Sequence, residues 1–178
     1  MENLPNLYEL DFGSNKIAVI ENLECLAPKL EKLTLAKNKI RRIGNLDSLT
    51  KLWFITFQSN RLSKIENLDK LVNLKELYLS QNFIEKIEGI GSLVNLVILD
   101  LAYNKIESIE NLENNKLLED LWLNNNNIKN FKDFDHLKCL PLLNCIYLWR
   151  NGVADFPSYK QALKEICPTL KQIDSSYL

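Results

Sequence analysis

Histidine is almost absent from this chain: His136 is the only one in 178 residues. That excludes a His-rich metal site and any mechanism that needs two imidazoles. Glycine is scarce, with five copies, and none is arranged as G-x-x-x-x-G-K or G-x-G-x-x-G, so no phosphate-cradling loop is written here. Cys25, Cys139, Cys145 and Cys167 include no C-x-x-C pair. They read as reduced thiols of an intracellular protein, with a Cys139–Cys145 or Cys145–Cys167 disulfide as the alternative. No N-x-[ST] acceptor occurs. No apolar run reaches the ~18 residues of a membrane helix, and MENLPNLYEL lacks the basic and apolar regions of a secretory signal. The formal net charge is −1, so no bulk basic field attracts nucleic acid. A Cys–His nucleophile would need His136 beside Cys139 or Cys145, with Asp133 or Asp135 to orient it. His136 instead sits in a polar stretch before Leu137 and reads as solvated. The chain is therefore expected to be non-catalytic, with no cofactor and no metal.

What the sequence does have is asparagine on a ladder. Asn15, Asn38, Asn60, Asn82, Asn104, Asn126 and Asn151 follow one another in steps of 23, 22, 22, 22, 22 and 25 residues. Five residues before each stands Leu or Ile, and three before it Leu or Phe. The full unit reads L-x-x-L-x-L-x-x-N-x-I-x-x-I-x-x-L-x-x-L, as in Leu74, Leu77, Leu79, Asn82, Ile84, Ile87, Ile90 and Leu93. This is the leucine-rich repeat pattern. The expected fold is an α/β solenoid of 22-residue units, with a parallel sheet on the concave side and 3₁₀ or short helical turns on the convex side. Seven strands at ~4.8 Å spacing make a sheet roughly 30 Å wide, suited to a folded partner.

Residues 1–154 read as about seven repeats and 155–178 as a C-terminal cap. Asp155 onward does not continue the period. Phe156-Pro157-Ser158-Tyr159 leads into KQALKEI, a helix with Ala162, Leu163 and Ile166 apolar, which Pro168 stops. Ala27-Pro28-Lys29 adds one residue between the first two repeats. Residues 1–6 are too few to cover the first repeat, so the chain either continues a longer array, the favoured reading, or caps itself imperfectly with its first repeat.

Strand alternation selects the concave side chains. The middle column is Asp11, Thr34, Thr56, Tyr78, Asp100, Trp122 and Tyr147. The column before it is Glu9, Lys32, Phe54, Glu76, Ile98, Asp120 and Cys145; the one after it is Gly13, Ala36, Gln58, Ser80, Ala102, Asn124 and Trp149. Aromatics and acids dominate, and Lys32 is the only base. Such a mixture suits a partner with a basic, partly apolar patch. Strand propensity accounts for one or two of the aromatics. The candidate partner-binding set is Asp11, Phe54, Glu76, Tyr78, Asp100, Asp120, Trp122, Tyr147 and Trp149. Lys16, Lys39, Arg41, Arg42, Lys64 and Lys86 lie beyond the ladder and read as a solubilising rim.

The segments NRLSKIENLDKLVNLKELYLSQNFIEKIEGI, LEDLWLNNN and IYLWRN, with the cap FPSYKQALKEICPTLKQIDSSYL, carry a further resemblance. Together they resemble the leucine-rich regulatory subunits of protein phosphatase 1, the subunit 7 type. The likeness runs over nearly the whole chain, and the cap is its most specific part. It implies a cytoplasmic and nuclear protein without activity of its own, monomeric by itself, that binds the protein phosphatase 1 catalytic subunit through the concave face. It implies contacts at Asp11, Tyr78, Asp100, Asp120, Trp122 and Tyr147, and an aromatic where Thr34 stands. Neither membrane nor direct nucleic-acid binding is expected. The alternative is an adaptor of another complex, spliceosomal A-prime-like or axonemal dynein light-chain-like.

Overall fold

In the computed structural model, which describes residues 6–26 and 29–177, each repeat contributes one three-residue strand centred on the first leucine of its L-x-L motif. β1 is Glu9–Asp11, β2 Lys32–Thr34, β3 Phe54–Thr56 and β4 Glu76–Tyr78. β5 is Ile98–Asp100, β6 Asp120–Trp122 and β7 Cys145–Tyr147. They pair in parallel in chain order, so Leu33, Ile55, Leu77, Leu99, Leu121 and Ile146 form one row. That row is fully buried, and burying each such side chain contributes about 1.5–3 kcal/mol. A constant repeat length keeps the row in register, since a one-residue slip would turn leucines to solvent. The expectations about residues 1–5 and the extra residue at Ala27 and Pro28 lie outside the described residues, as does Leu178.

The asparagine ladder holds the turns together. Asn82 Oδ1 accepts from Leu62 N at 2.9 Å, and its Nδ2 donates to Phe57 O and Leu79 O, each at 3.0 Å. Two of those three partners belong to the preceding turn. Asn38, Asn60, Asn104, Asn126 and Asn151 repeat the arrangement. The side chain thus satisfies backbone groups that burial would otherwise orphan. The residue before each asparagine, from Ser14 to Arg150, has φ between 55° and 58°. None is β-branched, as that left-handed conformation requires.

A second ladder appears on the convex side. Asn22, Asn45, Asn67 and Asn111 have φ between 57° and 61°. Asn45, Asn67 and Asn111 donate Nδ2 to Ile20 O, Ile43 O and Ile87 O at 2.6, 2.7 and 2.7 Å. Gly89 takes the same place with φ 66°, and a Cβ there would stand 2.3 Å from Ile65 O.

Two features refine the expected fold. The convex side carries little helix: 3₁₀ segments are confined to Glu24–Leu26, Phe131–Cys139 and Gly152–Asp155 among the described residues, and the rest is turns. The tight Asn and Gly turns leave too few residues per turn for a helix. The cap also does more than cover: it extends the sheet. Helix α1, Tyr159–Ile166, packs on the 3₁₀ segments Phe131–Cys139 and Gly152–Asp155, with Leu163 fully buried. The chain then adds β8, Gln172–Ile173, parallel to β7, and β9, Ser176–Tyr177, antiparallel to β8. Leu170 and Ile173 therefore repeat the leucine pattern in shortened form. The antiparallel hairpin ends the parallel run, and the hydroxyl of Tyr159 donates to Asp174 at its bend. The long segment Phe131–Cys139 accounts for the last, 25-residue step, with Phe134 and Leu137 filling its underside.

Candidate concave binding face

Strand register places the three concave columns as alternation requires. What alternation cannot show is which side chains touch. Four aromatic residues form a continuous line of rings across β3 to β7. Phe54 and Tyr78 lie 5.5 Å apart, Tyr78 and Trp122 6.1 Å, and Trp122 and Tyr147 6.0 Å. The last two contacts are edge-to-face, the arrangement that ring quadrupoles favour. β5 has no aromatic, so Tyr78 and Trp122 meet over its residue in the middle column, Asp100. The consequence is that Asp100 is only 5% exposed.

Burial raises the Asp100 carboxyl above the usual carboxylate range, and the Ser80 hydroxyl and the Ala102 amide partly oppose the shift. The Ala102 bond is 3.0 Å. Asp120 is also shifted upward by burial, with Cys145 as its hydrogen-bond neighbour. Burial and the carboxylate of Asp120 push the Cys145 thiol up to about 11. Tyr78 donates to Glu76 Oε2 at 3.0 Å; its own proton is held well above the usual range by burial and by that bond. Tyr147 OH accepts from Gln172 Nε2 at 2.7 Å, so the cap braces the end of the ring line. Trp122 Nε1 is buried and has no hydrogen-bond partner among the described residues. Gln58, Asp100, Ala102, Tyr103, Trp122 and Tyr147 help line a shallow depression of about 350 Å³. A desolvated carboxylate floor beneath aromatic walls suits a cationic side chain with an apolar stem.

Phe54, Glu76, Tyr78, Asp100, Asp120, Trp122 and Tyr147 are thus brought together. Asp11 and Trp149 are not. Asp11 lies on β1, separated from the rings by Thr34 and Thr56, and its carboxylate accepts from Gly13 N at 2.6 Å. Trp149 turns to the rim, where Arg150 stacks 4.9 Å from its ring centroid. The columns missed Trp53. Its ring lies 6.2 Å from Phe54 and lengthens the line by one, its indole donates to Glu31 Oε2 at 3.3 Å, and Lys32 sits 4.8 Å over its face. Adjacency to Phe54 was the available signal. His136 is exposed, as its polar setting indicated. The four cysteines are unlinked by disulfides.

A family model described as Leucine Rich repeats (2 copies) matches residues 49–92, 72–114 and 94–139, together just over half the chain. No curated protein matches the sequence. Among solved structures, a Leptospira interrogans leucine-rich repeat protein superposes with TM-score 0.83 at 24% identity, over 95% of this chain and 43% of its own. Internalin C2 of Listeria monocytogenes gives 0.77 at 24% identity, over 93% of this chain and 69% of that one. The internalin inlF of the same organism gives 0.67 at 23%, over 96% and 54%. The chain thus spans about half the length of the Leptospira protein and of inlF.

Proposed function

This chain belongs to the leucine-rich repeat family, and we propose that it works as a non-catalytic binding subunit whose protein partner docks on the concave face. The observation that carries this reading is the ring line from Phe54 to Tyr147, set among the acids Glu76, Asp100 and Asp120. Half-exposed aromatics held edge to face cost little to order on binding, and such residues dominate interface energetics. Acids around them steer a basic patch and make association salt-dependent.

For the partner we propose the catalytic subunit of protein phosphatase 1, with regulation by occupation of its surface. The repeat segments and the cap sequence support that choice, as does the acidic and aromatic character of Tyr78, Asp100, Asp120, Trp122 and Tyr147. Action in the cytoplasm and nucleus goes with it.

The test is binding of the purified chain to a protein phosphatase 1 catalytic subunit by titration calorimetry. A Trp122→Ala, Tyr147→Ala variant is expected to lose about 2–4 kcal/mol per anchor, enough to abolish measurable binding. Circular dichroism checks that it stays folded. Absence of binding by the unaltered chain, with binding to an RNA-recognition-motif protein instead, would overturn the phosphatase assignment in favour of the adaptor reading.

A further inference from the structure

The residues flanking the asparagine ladder form a rim that borders the concave face and meets it at Tyr103, which also helps line the depression beside Trp122. The column before each asparagine reads Ser14, Lys37, Ser59, Gln81, Tyr103, Asn125, Arg150; the column after it reads Lys16, Lys39, Arg61, Phe83, Lys105, Asn127, Gly152. Neither contains an acid, and neither does the neighbouring concave column from Gly13 to Trp149. Six bases stand in the two columns: Lys16, Lys37, Lys39, Arg61, Lys105 and Arg150. All are exposed, and among the described residues none of them is in a salt bridge. A rim that served only solubility would mix both signs, as the convex face does with Arg42 and Glu66 at 3.0 Å.

The fold makes this rim a track. The left-handed residue before each asparagine turns the chain sharply, so the two columns run side by side from turn to turn. Along it the character changes. Lys16, Lys37, Lys39 and Arg61 come first. Phe83 and Tyr103 follow, 50% and 44% exposed. Lys105, 5.5 Å over the Phe83 ring, and then Arg150 complete it. The track is therefore basic, then aromatic, then basic.

We propose that this rim binds an extended protein segment in which acidic residues flank a short apolar centre. The interrupted pattern decides against a phosphate backbone, whose charge is uniform along its length. The net charge of −1 and the acids of the concave face also oppose a long polyanion. Seven turns at ~4.8 Å correspond to about ten residues of extended chain at ~3.3 Å each. The inference is independent of what occupies the concave face.

The probe is a fluorescein-labelled peptide of about ten residues, with glutamates on both sides of a Leu-Trp-Leu centre, followed by anisotropy at low salt. Lys39→Glu with Arg61→Glu is expected to weaken binding at least about tenfold. Phe83→Ser with Tyr103→Ser is expected to weaken it at any salt concentration. Lys64→Glu with Lys86→Glu, on the convex face, should leave it unchanged. All three variants replace exposed side chains, and circular dichroism verifies their fold. Equal loss from the convex reversal would show nonspecific charge attraction and overturn the proposal. So would a peptide that does not bind, or a single-stranded oligouridylate that binds as tightly as the peptide.

Discussion

The buried asparagine column and the concave column lie only a few residues apart, yet they obey opposite rules. From Asn38 to Asn151 each turn carries the same asparagine, because each offers it the same backbone groups of its own turn and of the one before. No two turns carry the same pair of concave residues: Glu76 with Tyr78 is followed by Ile98 with Asp100, then Asp120 with Trp122. Uniform columns report what the solenoid needs; variable ones are left for recognition. The difference teaches where to look for function in a repeat protein, namely where the repeat is imperfect.

The largest effect should come from the uniform column. Asn82→Ala leaves Leu62 N without a partner inside the core, while Phe57 O keeps Asn60 Nδ2 and Leu79 O keeps Asn104 Nδ2. One buried N–H orphaned and two further hydrogen bonds lost cost about 2–4 kcal/mol in urea unfolding. A loss below about 1 kcal/mol would show that the column is not what secures the turns. Next is Gly89→Ala, which combines left-handed backbone with a 2.3 Å approach to Ile65 O and should cost about 1–3 kcal/mol. Gly89→Asn should cost less than Gly89→Ala, because its amide can repeat the bond that Asn67 makes with Ile43 O. Equal costs for the two would mean that the convex asparagines serve conformation alone. Third, Tyr159→Phe removes the hydroxyl that donates to Asp174 and should lower the melting temperature, with a stability loss of about 1–2 kcal/mol.

The smallest effect belongs to the variable column and depends on pH. Burial raises the Asp100 carboxyl in the folded chain, so the folded state holds that proton more tightly than the unfolded state does. Its contribution to stability is then complete below the ordinary carboxylate value and declines as pH rises through the raised one. Asp100→Asn should accordingly gain stability relative to the parent between acid and neutral pH. A parent-to-variant difference that stays flat over that range would place the carboxylate in water, contrary to its position under the rings.

Much of this was legible beforehand because the repeat converts sequence spacing into spatial rows. Leu77, Leu99 and Leu121 had to be buried together, and Tyr78 and Trp122 had to share a face, once the period was known. The burial of Asp100 was not legible. It depends on two large rings from neighbouring turns leaning across a smaller residue, which is a matter of side-chain angles and not of spacing. Trp53 escaped because it precedes the strand and joins the line only through Phe54. The Asn45 and Asn67 ladder was visible as a recurring I-x-N-L or I-E-N-L, but its left-handed turns and backward bonds needed coordinates. β8 and β9 were hidden because two-residue strands carry no period.

The direction of the asparagine bonds has a bearing on how the chain is made. From Asn38 onward, each ladder asparagine reaches back to the turn synthesised just before it, as Asn60 does to Leu35 O and Ile40 N. A chain emerging residue by residue can therefore close each turn as the next asparagine arrives, without waiting for anything further downstream. Assembly in the order of translation leaves no more than one turn of buried polar groups unmet at any moment, and the hairpin at Asp174 closes the account.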